Sequence, residues 1–65
     1  MKLYLNGNSI DTQSQSLSQL LQEQQFDCSA VATAIDGNFV PRSQYTITLL
    51  SSGQKIEVLA PMQGG

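Results

Sequence analysis

The sequence predicts an α+β domain: a mixed sheet of four to five strands, covered on one face by one main helix. Three observations carry this expectation. The chain opens on an alternating stretch closed by Asn6-Gly7, continues into leucines at helical spacing, and returns to alternation in "KIEVLA". One thin sheet must bury one face, and the only helix is its natural cover.

The opening "MKLYLNGNSID" places Met1, Leu3 and Leu5 on one face and Lys2, Tyr4 and Asn6 on the other. Asn-Gly is the strongest short hairpin signal, because a type I′ turn needs positive φ at both central residues. Residues 1–12 therefore read as a β-hairpin whose second strand runs through Ser9 to Asp11. In "TQSQSLSQLLQEQQFD", Leu17, Leu20 and Leu21 stack on one helical face. Ser16 followed by Gln19 fits a capping box. The expected helix runs from Leu17 to Gln25, with Phe26 closing its apolar end.

In "AVATAIDGNFV", Val31, Thr33 and Ile35 alternate with Ala30, Ala32 and Ala34. The small residues are expected on the face toward the helix, where they would allow close approach. Asp36-Gly37 supplies a turn, and Phe39-Val40 resume the extended chain. Pro41 disfavours central-strand pairing, so "RSQYT" reads as an irregular bridge or one helical turn. "ITLL" reads as a further strand, Ser-Ser-Gly as a turn, and "KIEVLA" as the last strand, expected at the sheet centre. The helix is long enough to bring a later strand parallel to an earlier one.

Composition excludes several function classes. The chain of 65 residues forms one domain, 1–65, and carries a net charge of −2 with three Lys plus Arg. A chain this short buries only about 60% of its unfolded surface, which leaves no room for a deep cleft. Lys2, Arg42 and Lys55 are scattered, whereas nucleic acid demands clustered cations. No apolar run approaches the ~20 residues of a membrane span. No charged n-region precedes an apolar one, so no secretory signal is expected. Nine Gln and eight Ser supply much of the polarity, so partners are expected to be met by shape and apolar contact. A single cysteine fits a reducing cytoplasm.

Catalytic constellations are missing. There is no histidine, hence no Ser-His or Cys-His dyad and nothing to complete a zinc site. Asp11, Glu23, Asp27, Asp36 and Glu57 are dispersed and lack metal-ligand spacing. The glycines follow no phosphate-loop pattern. Cys28 reads as a small, partly buried residue at the helix-to-strand junction. No cofactor or metal is expected.

What remains is the end, "PMQGG". Pro61 has no N–H to donate, so strand pairing should stop there, and Ala60 before it is pushed to extended geometry. Residues 61–65 should leave the domain as a thin, flexible tail reaching roughly 17 Å when extended. Gly64 and Gly65 lack a Cβ and would pass a channel too narrow for other residues. The group such a tail delivers is the Gly65 carboxylate, a poor acyl donor until another enzyme activates it. Tyr4 and Leu59 fall on the sheet face opposite the helix and are the candidate docking residues.

A small β-grasp domain ending in Gly-Gly resembles the ubiquitin-like sulfur carriers. Within them, "VATAIDGNFVPRSQY", with "FVPR" followed by an aromatic, and the "P-x-x-G-G" close are similar to the thiamine-pathway sulfur-carrier (ThiS) family. The resemblance covers nearly the whole chain. Two positions depart from it: Asp36 stands where the family often has Asn, and Gln54 follows Gly53 where Asp is common. Both put local turn hydrogen bonding in question. The resemblance implies a protein co-substrate, not an enzyme. An E1-like enzyme would adenylate Gly65 with ATP, a cysteine-derived persulfide would convert it to a thiocarboxylate, and thiazole synthase would take the sulfur. The alternatives are a molybdopterin-synthase small subunit, which is usually longer, a ubiquitin-like modifier, and a plain interaction domain.

Overall fold

The N-terminal alternation folds as the expected hairpin. Strands β1 (Lys2–Leu5) and β2 (Asn8–Asp11) pair antiparallel, with Leu5 opposite Asn8. Asn6 and Gly7 therefore form a two-residue turn, at φ 50° and 85°, the positive pair that a type I′ turn demands. Leu3 and Leu5 are buried beneath it. The computed structural model describes residues 1–60. The tail expectations, including Gly64 and Gly65, lie outside the described residues.

Helix α1 (Leu17–Glu23) buries Leu17, Leu20 and Leu21 completely. Its capping box is formed: the Ser16 hydroxyl accepts from the Gln19 N–H at 3.2 Å, and the Gln19 side-chain oxygen accepts from the Ser16 N–H. The helix ends two residues before the expected Gln25. Gln25 turns left-handed at φ 66°, its N–H bonds the Gln22 carbonyl, and the Phe26 N–H reaches back to the Leu21 carbonyl. This is a Schellman closure with glutamine in the place glycine usually takes. Phe26 packs on the core edge, as expected.

Strands β3 (Ala32–Ile35) and β4 (Asn38–Val40) form a second hairpin through Asp36-Gly37, again with positive φ at both residues. The strand faces are the reverse of the expectation. Val31, Thr33 and Ile35 point into the core, whereas Ala32 is exposed and Ala34 half-buried on the open side. The larger side chains fill the space under the helix, where alanines would leave voids.

After Pro41 a 3₁₀ turn (Arg42–Gln44) swings Tyr45 into the core. The expected strand over "ITLL" does not form. Leu49 makes one isolated bridge to Ser16, and Ile47 and Leu49 are mostly exposed while Leu50 is buried. The segment serves the helix start instead of a sheet. The Thr48 and Tyr45 carbonyls accept the Leu17 and Ser18 N–H groups at 2.9 and 3.0 Å. A helix leaves its first N–H groups unpaired, and here the crossing satisfies them.

The last strand, β5 (Lys55–Leu59), takes the sheet centre. The order is β2-β1-β5-β3-β4, with β5 parallel to β1 and antiparallel to β3. This is the β-grasp arrangement of five strands gripping one helix. Its core joins Leu3, Leu5, Leu20, Leu21, Ile56 and Val58 across the layer.

Candidate functional site

The site is built from β5 outward. Strand β5 alternates Ile56 and Val58 into the core with Lys55, Glu57 and Leu59 on the open face. Its last sheet partner is Ala32, opposite Leu59. The chain continues from there through Ala60 into residues 61–65, so the middle strand is the root of the Gly-Gly segment.

Two turn side chains grip β5 from opposite flanks. On the β3 side, the Lys55 N–H donates to the Asp36 carboxylate at 2.9 Å, while the Asp36 N–H donates to the Lys55 carbonyl at 2.8 Å. On the β1 side, Asn6 bonds both backbone groups of Val58 through its side-chain amide. The two residues that depart from the resembled pattern both make side-chain hydrogen bonds at their turns. Asp36 accepts as an asparagine oxygen would, and the Gln54 side chain accepts from the Ser51 N–H at 2.9 Å.

Tyr4 and Leu59 both lie on the open face, but the structure does not bring them together. Tyr4 pairs with Lys55, four residues before Leu59 along β5, a separation of about 13 Å. Tyr4 lines a depression with Lys55, Glu57 and the Asp36-Gly37 turn. Leu59 lines a second, of about 200 Å³, with Ala32, Ala34, Phe39 and Glu57. Leu59 is 73% exposed and Phe39 70%. Phe39 was missing from the sequence-based candidates. A three-residue strand gives too short an alternation to tell whether Phe39 or Val40 faces inward. Because Phe39 pairs with Ala34, and Ala32 with Leu59, two alanines floor an apolar patch walled by two large side chains.

Cys28 is half-buried and packs against the core, as its junction position suggested. Asp27 beside it is committed elsewhere. The Ser29 hydroxyl donates to its carboxylate at 2.6 Å and the Ser29 N–H at 2.9 Å. These bonds hold the Asp27 carboxyl below the usual carboxylate range. No group of three or more metal-ligating side chains comes together among the described residues. No helix among them is long and apolar enough to cross a membrane.

Fold and site describe a β-grasp domain whose central strand precedes the Gly-Gly segment in sequence and carries an apolar patch at its end. The family model of the ThiS family matches residues 4–65, and the chain belongs to this family of thiamine-biosynthesis sulfur carriers. Two solved structures share the fold. The crystal structure of the thiamine biosynthesis protein ThiS from Geobacter metallireducens superimposes with a TM-score of 0.84, at 23% identity over 100% of both chains. The solution structure of a thiamine biosynthesis protein from the same organism gives 0.83, at 25% identity over 100% of this chain and 88% of that one. Comparison with curated proteins returns no match.

Proposed function

We propose that this protein is a cytoplasmic co-substrate that carries sulfur as a thiocarboxylate on Gly65. The observation that carries the reading is the coincidence of a ThiS-family match through residue 65 with a central strand, ending at Leu59, that precedes the Gly-Gly segment in sequence. An E1-like partner joins the Gly65 carboxylate to AMP and releases pyrophosphate. The terminal sulfur of a cysteine-derived persulfide then displaces AMP to give an acyl disulfide, and a thiol reductant cleaves its S–S bond, leaving the thiocarboxylate on Gly65 and the donor as its free thiol. Thiazole synthase consumes that sulfur, and the carboxylate returns. The carrier's own residues supply reach and docking; the partner supplies ATP chemistry.

The open face supports docking of the adenylating partner. Leu59 and Phe39 provide exposed apolar side chains, Ala32 and Ala34 permit close approach, and Tyr4 extends the surface toward the hairpin turn. An apolar centre with a polar rim is the usual anatomy of a protein–protein contact.

Reach gives the test. Deleting Gly65 leaves a carboxylate about 3.4 Å short of the reacting phosphate, beyond what near-attack geometry tolerates. Appending one alanine makes the reach too long, and Gly64→Ala tests channel width at constant length. ATP–pyrophosphate exchange with the adenylating enzyme should be nearly abolished by the deletion and the extension, and reduced by Gly64→Ala. Normal exchange by the Gly65 deletion would refute the reading.

A further inference from the structure

We propose that Asn6 is a positioning residue for the carrier's C-terminal segment, an inference that rests on the sulfur-carrier reading above. Asn6 is the first residue of the β1–β2 turn, at φ 50°. Its backbone N–H donates to the Ile56 carbonyl at 2.8 Å, the last backbone bond from this flank to β5. There the main chain turns away toward β2, yet the ladder continues. The Asn6 Oδ1 accepts the Val58 N–H at 2.8 Å, and the Asn6 Nδ2 donates to the Val58 carbonyl at 3.2 Å. One side-chain amide stands in for the peptide group that β1 no longer offers.

The location of this clamp gives it a function. Val58 lies one residue before Leu59, where β5 ends and the chain continues toward Gly65. Beyond Ile56, β5 has backbone partners only on the β3 side, ending at Leu59 opposite Ala32. The Asn6 amide is what holds the second side. An extended five-residue chain reaches roughly 17 Å, so an angular error of about 10° at its root displaces the tip by about 3 Å. Loosening the root adds conformational freedom that must be removed before Gly65 can react. Asn6 lines both open-face depressions, but the apolar side chains Phe39 and Leu59 are not altered by the change. The expected signature is therefore a loss in kcat of the adenylating partner that exceeds any rise in KM for the carrier.

Asp36 is the matched control. It is the first residue of the other type I′ turn, has the same φ of 50°, and also binds β5 through its side chain. Its grip is on Lys55, at the opposite end of the strand from the tail. Asn6→Gly and Asp36→Gly both remove one side-chain clamp while retaining a residue suited to positive φ. Both should lower the melting temperature.

The experiment compares these variants with wild type in ATP–pyrophosphate exchange with the adenylating enzyme, well below either melting temperature. Asn6→Gly should lose about five- to thirtyfold in kcat, the cost of ordering roughly one further residue, with any rise in KM smaller than that loss. Asp36→Gly, at a position beside Tyr4 on the open face, should match wild type in kcat, with any change confined to KM. In the free proteins, backbone ¹⁵N relaxation should show Val58 to Ala60 loosened by Asn6→Gly alone. Equal kcat for Asn6→Gly and wild type, equal losses in the two variants, or unchanged relaxation at Val58 to Ala60 would each overturn the proposal. A wild-type carrier that supports no exchange would instead refute the sulfur-carrier reading, and this inference with it.

Discussion

The Tyr45 hydroxyl donates to the Val31 carbonyl at 3.2 Å, both residues being buried. This bond ties the irregular crossing to the chain just before β3, and it gives the aromatic after "FVPR" a physical role. The 3₁₀ turn at Arg42–Gln44 delivers the ring to the core, and the hydroxyl satisfies a carbonyl left free at the start of the strand. Tyr45→Phe keeps the ring and removes the donor. A loss of about 1–2 kcal/mol is expected. Urea unfolding should show a lower midpoint with an unchanged slope.

Thr33 presents the opposite case. Its hydroxyl oxygen is buried and has no hydrogen-bond partner, and it faces the core beside Val31 and Ile35. Valine has nearly the same shape without the unsatisfied group. Thr33→Val should therefore stabilise the domain by about 1 kcal/mol. Thermal unfolding should shift upward by about 4–8 °C for a chain of this size.

The apolar patch is expected to be the stronger part of the docking face. Replacing Phe39 and Leu59 together by Ser removes two exposed side chains and leaves the core intact. KM for the carrier in pyrophosphate exchange should rise by about tenfold or more, as loss of one or two interface anchors commonly does. Tyr4→Ser, in the separate depression, should raise KM less. An unchanged KM for the Phe39/Leu59 double variant, with an unchanged melting curve, would move docking to another surface.

Much of this organisation was legible because local chemistry and global fold agree. Asn6-Gly7 and Asp36-Gly37 specify positive-φ turns, and both hairpins form around them. Ser16 and Gln19 mark the helix start, and three leucines mark its buried face. Where the reading failed, long-range packing decided. "ITLL" has strand-like composition, but it lies against the start of the helix, bridging Ser16 through Leu49, and the Thr48 carbonyl serves the helix N-terminus instead. The alanines of β3 read as a helix-facing surface because small residues permit close approach. The core needed volume there, and the alanines face outward. The role of Asn6 was beyond a local reading, since its partner Val58 lies 52 residues away. The Gly-Gly end was legible only as a composition, "PMQGG", and lies outside the described residues.

Cys28 is expected to be dispensable for loading. It packs against the core edge at the end of the helix connection, and the neighbouring Asp27 carboxylate is held by Ser29. Cys28→Ser should fold and accept one sulfur at the C-terminus at an unchanged rate. A folded Cys28→Ser protein that cannot be loaded would transfer the carrier role from the tail to a cysteine persulfide.

The most direct test is the mass and position of the transferred sulfur. Purified carrier is incubated with the adenylating enzyme, ATP, a cysteine-derived persulfide donor and a thiol reductant, and then treated with an alkylating reagent. Replacing an oxygen by sulfur changes the mass almost as methionine oxidation does, so the alkyl group, located by fragmentation, makes the distinction. One ATP-dependent alkyl label on the Gly65 thiocarboxylate sulfur, present in wild type and Cys28→Ser and absent after deletion of Gly65, is the expected result. A label found only at Cys28, or none at the C-terminus of a folded protein whose adenylate forms, would contradict a thiocarboxylate carried on Gly65.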